Sequence, residues 1–169
     1  MEGKVLVAYA SKYGATEEIA EKIGDRLGEA GFDVDVAPAD QVAGLESYEA
    51  VILGSGVYIF RWRKEAARFL KSNEKILTGK KVWFFSSGPT GEGDPEDLLE
   101  GWTFPEGLKP VAERIKPVGS VIFSGALFKD KLKGMEKWML KKVDAGIGDF
   151  RDWESITTWA DSIAAELKR

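Results

Sequence analysis

Val5-Leu6-Val7-Ala8-Tyr9-Ala10-Ser11-Lys12-Tyr13-Gly14-Ala15-Thr16 reads as an apolar strand that runs into a loop of hydroxyls and glycine. Behind it, Ile19, Ala20, Ile23 and Leu27 fall at helical spacing. A loop between a strand and a helix start collects backbone N–H groups that have no partner, at the positive end of the helix dipole. Such a loop suits a phosphate. Ser11 and Thr16 add hydroxyl donors, and Gly14 lets the backbone approach a ligand closely. The plainer reading of the same residues is a capped helix and a tight turn.

The chain has 169 residues, enough for one domain with a full core, and a single domain over 1–169 is expected. It contains no cysteine and no histidine. Thiolate nucleophiles, disulfides, His-based triads and Cys/His metal sites are therefore excluded, and no metal is expected. No protein side chain is singled out as catalytic, and a bound cofactor is the economical source of chemistry. A net charge of −4 argues against nucleic acid as a partner. No apolar run reaches transmembrane length and no signal peptide precedes the first strand, so a cytoplasmic protein is expected.

Strands and helices alternate from there on. Strands are expected at Lys4 to Tyr9, Phe32 to Ala37 (an edge), Ala50 to Val57, Lys81 to Gly88 and Gly119 to Gly125. Helices are expected at Ala15 to Ala30, Trp62 to Ile76, Val111 to Ile115, Leu132 to Val143 and Trp153 to Leu167, the last capped by Asp152. Alternation of this kind gives a parallel sheet covered on both faces, with the ligand beyond the carboxyl ends of the strands. Three of those ends are Ser/Gly loops, at 11–16, 54–58 and 86–91.

Two phosphate motifs are missing. There is no G-x-x-x-x-G-K-[ST] and no G-x-G-x-x-G after the first strand. Ser11-Lys12-Tyr13-Gly14-Ala15-Thr16 instead resembles the [ST]-x-x-G-x-T phosphate loop of flavodoxins, and the order of elements matches over most of the chain. The resemblance implies a flavodoxin-like doubly wound sheet of five parallel strands in the order 2-1-3-4-5, with FMN as cofactor. Tyr48 to Tyr58, Phe69 and Asp152-Trp153-Glu154-Ser155-Ile156 further resemble the flavodoxin-domain family that includes menaquinone-type protoporphyrinogen oxidase. An insert at about 128–150 fits that group, whereas the acidic loop from Gly88 to Asp97 departs from it.

On this resemblance Ser11, Lys12, Tyr13, Gly14, Ala15 and Thr16 hold the FMN phosphate. Gly54, Ser55, Gly56, Val57 and Tyr58 lie beside the ring, with a glycine peptide free to turn over and Tyr58 favoured over Trp62 for stacking. Ser86, Ser87, Gly88, Pro89, Thr90 and Gly91 serve the pyrimidine edge. Glu92, Asp94, Glu96 and Asp97 would lower the flavin potential if close to it, or form a solvated loop. Residues 129–142 carry six lysines against two acids, with Leu132, Met135, Trp138 and Met139 as an apolar stripe. That stripe packs as core or rests on an anionic membrane or a partner.

Three functions fit these expectations. The first is FMN-dependent electron transfer with a redox protein or a quinone. The second is protoporphyrinogen oxidation of the menaquinone-dependent type, in heme biosynthesis, with peripheral contact to the inner membrane face. The third is a regulatory domain that keeps the scaffold without flavin.

Overall fold

A computed structural model describes residues 3–128 and 147–169. The basic stretch 129–142, and with it most of the expected insert, lies outside the described residues.

Five parallel strands form the sheet: β1 (Lys4–Ala10), β2 (Asp33–Pro38), β3 (Ala50–Tyr58), β5 (Lys81–Ser87) and β6 (Gly119–Phe123). Their order is β2-β1-β3-β5-β6, and the two-residue β4 (Arg61–Trp62) returns antiparallel on β3. Counting the parallel strands alone, this is the expected 2-1-3-4-5 order. The chain leaves β1 toward β2 and then crosses to β3 on the other side, so the topological switch point lies between β1 and β3.

The inner strands have no polar face, because both faces are covered. Val5, Val7, Ile52, Trp83 and Phe85 pack against α1 (Ala15–Glu29) and the final helix α6 (Trp153–Leu167). Leu6, Ala8, Val51, Leu53 and Phe84 pack against α2 (Lys64–Ser72), α3 (Glu74–Leu77) and α5 (Lys109–Ile115). Ile19, Ile23 and Leu27 on α1, with Ile156, Ala160 and Ile163 on α6, are fully buried, as the helical spacing predicts. Asp152 caps α6 by accepting from the Ser155 N–H at 3.2 Å.

Three expectations need correction. Trp62 does not begin a helix. It belongs to β4, where its Nε1–H donates to Ser86 Oγ at 2.8 Å and its ring packs edge-on against Phe84 and Phe104. The helix expected to Ile76 breaks at Asn73 (φ −111, ψ 12), whose backbone N–H and Nδ2 both donate to the Phe69 carbonyl, closing α2 before α3 starts at Glu74. The loop from Gly88 to Pro110 contains α4 (Pro95–Leu98), with Asp94 as its cap and Pro95 in its first turn. Two further residue pairs, β7 (Ala126–Leu127) and β8 (Gly148–Asp149), form a small antiparallel ladder beyond β6.

Candidate functional site: a cavity at the carboxyl ends of the strands

A cavity of about 330 Å³ opens beyond the carboxyl ends of β1, β3 and β5, beside the switch point. Its first wall is the loop between β1 and α1. Gly14 takes φ 92, a left-handed conformation that suits glycine, and its N–H donates to Ser11 Oγ at 3.0 Å. The first i→i−4 bond of α1 runs from Glu18 N–H to the Gly14 carbonyl at 3.1 Å. The N–H groups of residues 15–17 therefore have no acceptor inside the helix. Gly14 occupies the cap position and has no side chain to serve them, unlike Asp94 on α4 and Asp152 on α6. Ala15 and Thr16 are nonetheless buried, at 8% and 4% exposure. A buried helix start that no side chain caps suits an anionic ligand.

The second wall is the end of β3 and its turn into β4. Gly56 brings its backbone so close to Thr16 that a Cβ there would sit 3.3 Å from the hydroxyl oxygen. Tyr58 and Ile59 follow at the rim, 47% and 70% exposed. The Lys12 ammonium lies 5.1 Å above the Tyr58 ring and 5.2 Å above that of Tyr13, within cation–π range of both. The third wall is Ser87, Gly88 and Thr90. Gly88 is pressed against β3, where an added Cβ would meet Val57 backbone atoms at 3.0 Å.

The cavity thus gathers Ser11, Lys12, Tyr13, Ala15 and Thr16 from the first loop. It gathers Gly56, Val57 and Tyr58 from the end of β3, and Ser87, Gly88 and Thr90 from the end of β5 and the loop beyond it. Gly14, Gly54, Ser55, Ser86, Pro89 and Gly91 do not line it. Ser55 is fully buried behind the wall, where its Oγ accepts from Arg63 N–H at 2.9 Å and donates to the Gly56 carbonyl at 2.9 Å. Ser86 holds Trp62 in the same way. Glu92, Asp94, Glu96 and Asp97 are absent from the lining, and Asp94 is occupied as a helix cap.

Sequence reasoning missed Arg63, Ile59 and a fourth wall, Gly125-Ala126-Leu127. The signal for the fourth wall was present, since Phe123-Ser124-Gly125 repeats the pattern of strand followed by serine and glycine. Arg63 gave no such signal, because it looks like any surface cation at a helix start.

A flavodoxin domain family model matches residues 6–153, from β1 to the start of the final helix. The chain belongs to the flavodoxin domain family. The cofactor of flavodoxin domains is FMN, as the phosphate-loop resemblance implied. Among curated relatives, NAD(P)H dehydrogenase (quinone) of Methylocella silvestris is 32% identical over 123 residues, which cover 57% of this chain and 62% of the relative. The chain thus spans less than two thirds of that relative's length. Protoporphyrinogen IX dehydrogenase [quinone] of Escherichia coli K12 is 22% identical over 172 residues, covering 95% of this chain and 94% of the relative. A flavodoxin from the domain Archaea superposes with a TM-score of 0.60 at 18% identity, covering 98% of this chain and 99% of that one. That likeness shows the flavodoxin fold. The walls of this domain offer what FMN requires: backbone donors for a phosphate, an exposed tyrosine for a ring, and close-packed glycines between the strand ends. Among the described residues, no helix is long and apolar enough to cross a membrane.

Proposed function

We propose that the cavity holds FMN and that the protein transfers electrons through it, with a quinone as electron acceptor. The observation that carries this reading is the buried N-terminus of α1, whose donors no side chain caps. In this reading the whole chain acts as one flavodoxin-like domain. Bound FMN supplies reversible redox chemistry. The protein's residues bind and orient it. The N–H groups of residues 15–17, with the hydroxyls of Ser11 and Thr16, take the phosphate. Tyr58 offers its ring for stacking, worth about 1 kcal/mol beyond the area it covers. Ser87 and Thr90 offer hydroxyls to the polar edge of the flavin, and Gly88 and Gly125 let the walls behind them pack closely, Gly88 on Val57 and Gly125 on Gly88. The names of the two quinone-linked relatives support the choice of acceptor.

Anaerobic photoreduction of the FMN-loaded protein, followed by mixing with menadione in a stopped-flow spectrophotometer, tests this function. The flavin absorbance is expected to return far faster with the quinone than in its absence. Equal rates with and without quinone contradict a quinone acceptor.

A second reading makes the protein a protoporphyrinogen oxidase. The relative with that activity in its name aligns along almost the whole of both chains, and this end-to-end match favours the reading. Anaerobic addition of protoporphyrinogen to the oxidised flavoprotein separates the two. Bleaching of the flavin with appearance of porphyrin fluorescence supports the oxidase, and an unchanged flavin spectrum removes it.

A further inference from the structure

Arg151 is a cation with only 4% of its side chain exposed, and the cavity lining does not include it. Burial of this kind demands partners, because an isolated charge is strongly disfavoured away from water. Its Nε and Nη2 donate to the two oxygens of Asp149 at 2.9 and 2.8 Å, a bidentate fork. Its Nη1 donates to the Ala15 carbonyl and to Glu18 Oε1, both at 3.3 Å. Trp153 and Phe128 enclose the guanidinium, with ring centroids 4.8 and 5.8 Å from its central carbon.

These contacts join two walls of the cavity. Asp149 stands opposite Ala126 in the β7–β8 ladder, and Ala126 lines the fourth wall. Ala15 opens α1 and lines the first. The carbonyl that Arg151 binds belongs to the same peptide unit as the Thr16 N–H. That N–H is one of the donors left without an acceptor at the helix start. A charged donor on the carbonyl side of a peptide polarises the unit and strengthens the N–H on its other side.

We infer that Arg151 is a positioning residue for the phosphate group of the flavin: it fixes the first turn of α1 against the fourth wall and strengthens the Thr16 N–H as a phosphate donor. The inference rests on the proposed FMN site. It makes a specific demand, because riboflavin has the same ring but no phosphate. Loss of Arg151 must weaken FMN binding and leave riboflavin binding nearly unchanged. A role confined to holding the fold or the fourth wall affects both flavins alike.

The test is a fluorescence titration of the apoprotein with FMN and, separately, with riboflavin, using wild type, Arg151→Met and Arg151→Lys. Wild type is expected to prefer FMN. Arg151→Met is expected to raise the Kd for FMN about tenfold and that for riboflavin by less than about twofold. Lysine cannot hold both Asp149 oxygens and reach Ala15 as well, so Arg151→Lys is expected to lose about threefold of the preference. This variant keeps a cation at position 151 and carries the test should the methionine variant fail to fold. An unchanged FMN/riboflavin ratio in either folded variant overturns the inference while leaving the FMN site intact. A wild type that binds both flavins equally, or neither, overturns the phosphate-loop reading and this inference with it.

Discussion

Gly54 faces the Phe85 ring directly across the sheet, paired in register between β3 and β5. A Cβ at Gly54 would lie 2.0 to 2.3 Å from three carbons of that ring. The ring fills the space a side chain would need, which is how a strand glycine is commonly compensated. Gly54→Ala is therefore expected to destabilise the protein by about 1–3 kcal/mol, as overpacking does, and chemical denaturation checks it. A variant as stable as wild type contradicts the packing role. The sequence suggested Gly54 as a peptide beside the ligand, since a glycine at a strand end is ambiguous until its cross-strand neighbour is known. Trp62 shows the same limit. Its indole satisfies Ser86 in the interior, and Trp62→Phe is expected to cost about 1–3 kcal/mol by leaving a buried hydroxyl without its donor. Loss of stability in urea, measured against a Ser86→Ala/Trp62→Phe double variant, isolates the pair. Additive losses contradict coupling.

At the scale of elements, the β3–β4 hairpin stands out. Its two-residue turn, Ile59-Phe60, has φ of 51 and 59, positive at both positions as in a type I′ turn. That turn prefers Asn-Gly, and a β-branched residue at positive φ is strained. Replacing Ile59-Phe60 by Asn-Gly is expected to stabilise the protein by about 1–2 kcal/mol, read as a higher Tm in the apoprotein. An unchanged or lower Tm contradicts the strain. This conflict between local preference and tertiary position explains why the hairpin was invisible in the sequence. Nothing in Tyr58-Ile59-Phe60-Arg61 announces a turn, and between the loop expected at 54–58 and the helix expected from Trp62 the sequence assigns residues 59–61 no element. By contrast, α1 and α6 were legible to within a residue or two, because apolar spacing and burial agree along their full length. The Ser/Gly strand ends were legible too, as a chemical pattern, although residues 54–58 continue β3 to Tyr58 and Ser86 and Ser87 complete β5 where loops were expected. The β7–β8 pair was not, since two residues carry no period; Gly125 extends that ladder, its carbonyl accepting from Phe150 N–H at 3.0 Å, while its own N–H donates to the Pro89 carbonyl just beyond β5 at 3.0 Å.

At the scale of the whole molecule, two aromatic-rich cores press on opposite faces of one sheet, and hydrogen-bonded tyrosines fasten surrounding elements to it. Tyr48 donates to Asp35 at 2.5 Å, linking the segment before β3 to the edge strand β2, and Tyr9 donates to Glu17 at 2.9 Å, linking β1 to α1. The Asp35 bond pushes the Tyr48 phenol up to about 12, and burial followed by the Glu17 bond pushes Tyr9 up to about 12. A phenol raised in the folded state contributes stability that is complete below its ordinary value near 10 and is lost as pH rises through the folded value. The protein is thus expected to lose thermal stability between pH 10 and about 12, and a Tyr9→Phe/Tyr48→Phe variant to lose less over that window. Equal slopes for the two proteins contradict this linkage. The same Tyr48 bond holds Asp35 below the ordinary carboxylate range, so its contribution is present at neutral pH and lost as acid protonates it.

The cavity at the switch point lies at the carboxyl edge of the sheet that separates these two cores, where the open start of α1 is proposed to hold FMN. Titration of apoprotein into FMN, followed by flavin fluorescence, measures this binding. Quenching is expected to saturate at about one flavin per chain, with affinity reduced about tenfold when Thr16→Val removes a buried hydroxyl donor. Fluorescence that stays unchanged on addition of the wild-type protein would contradict it.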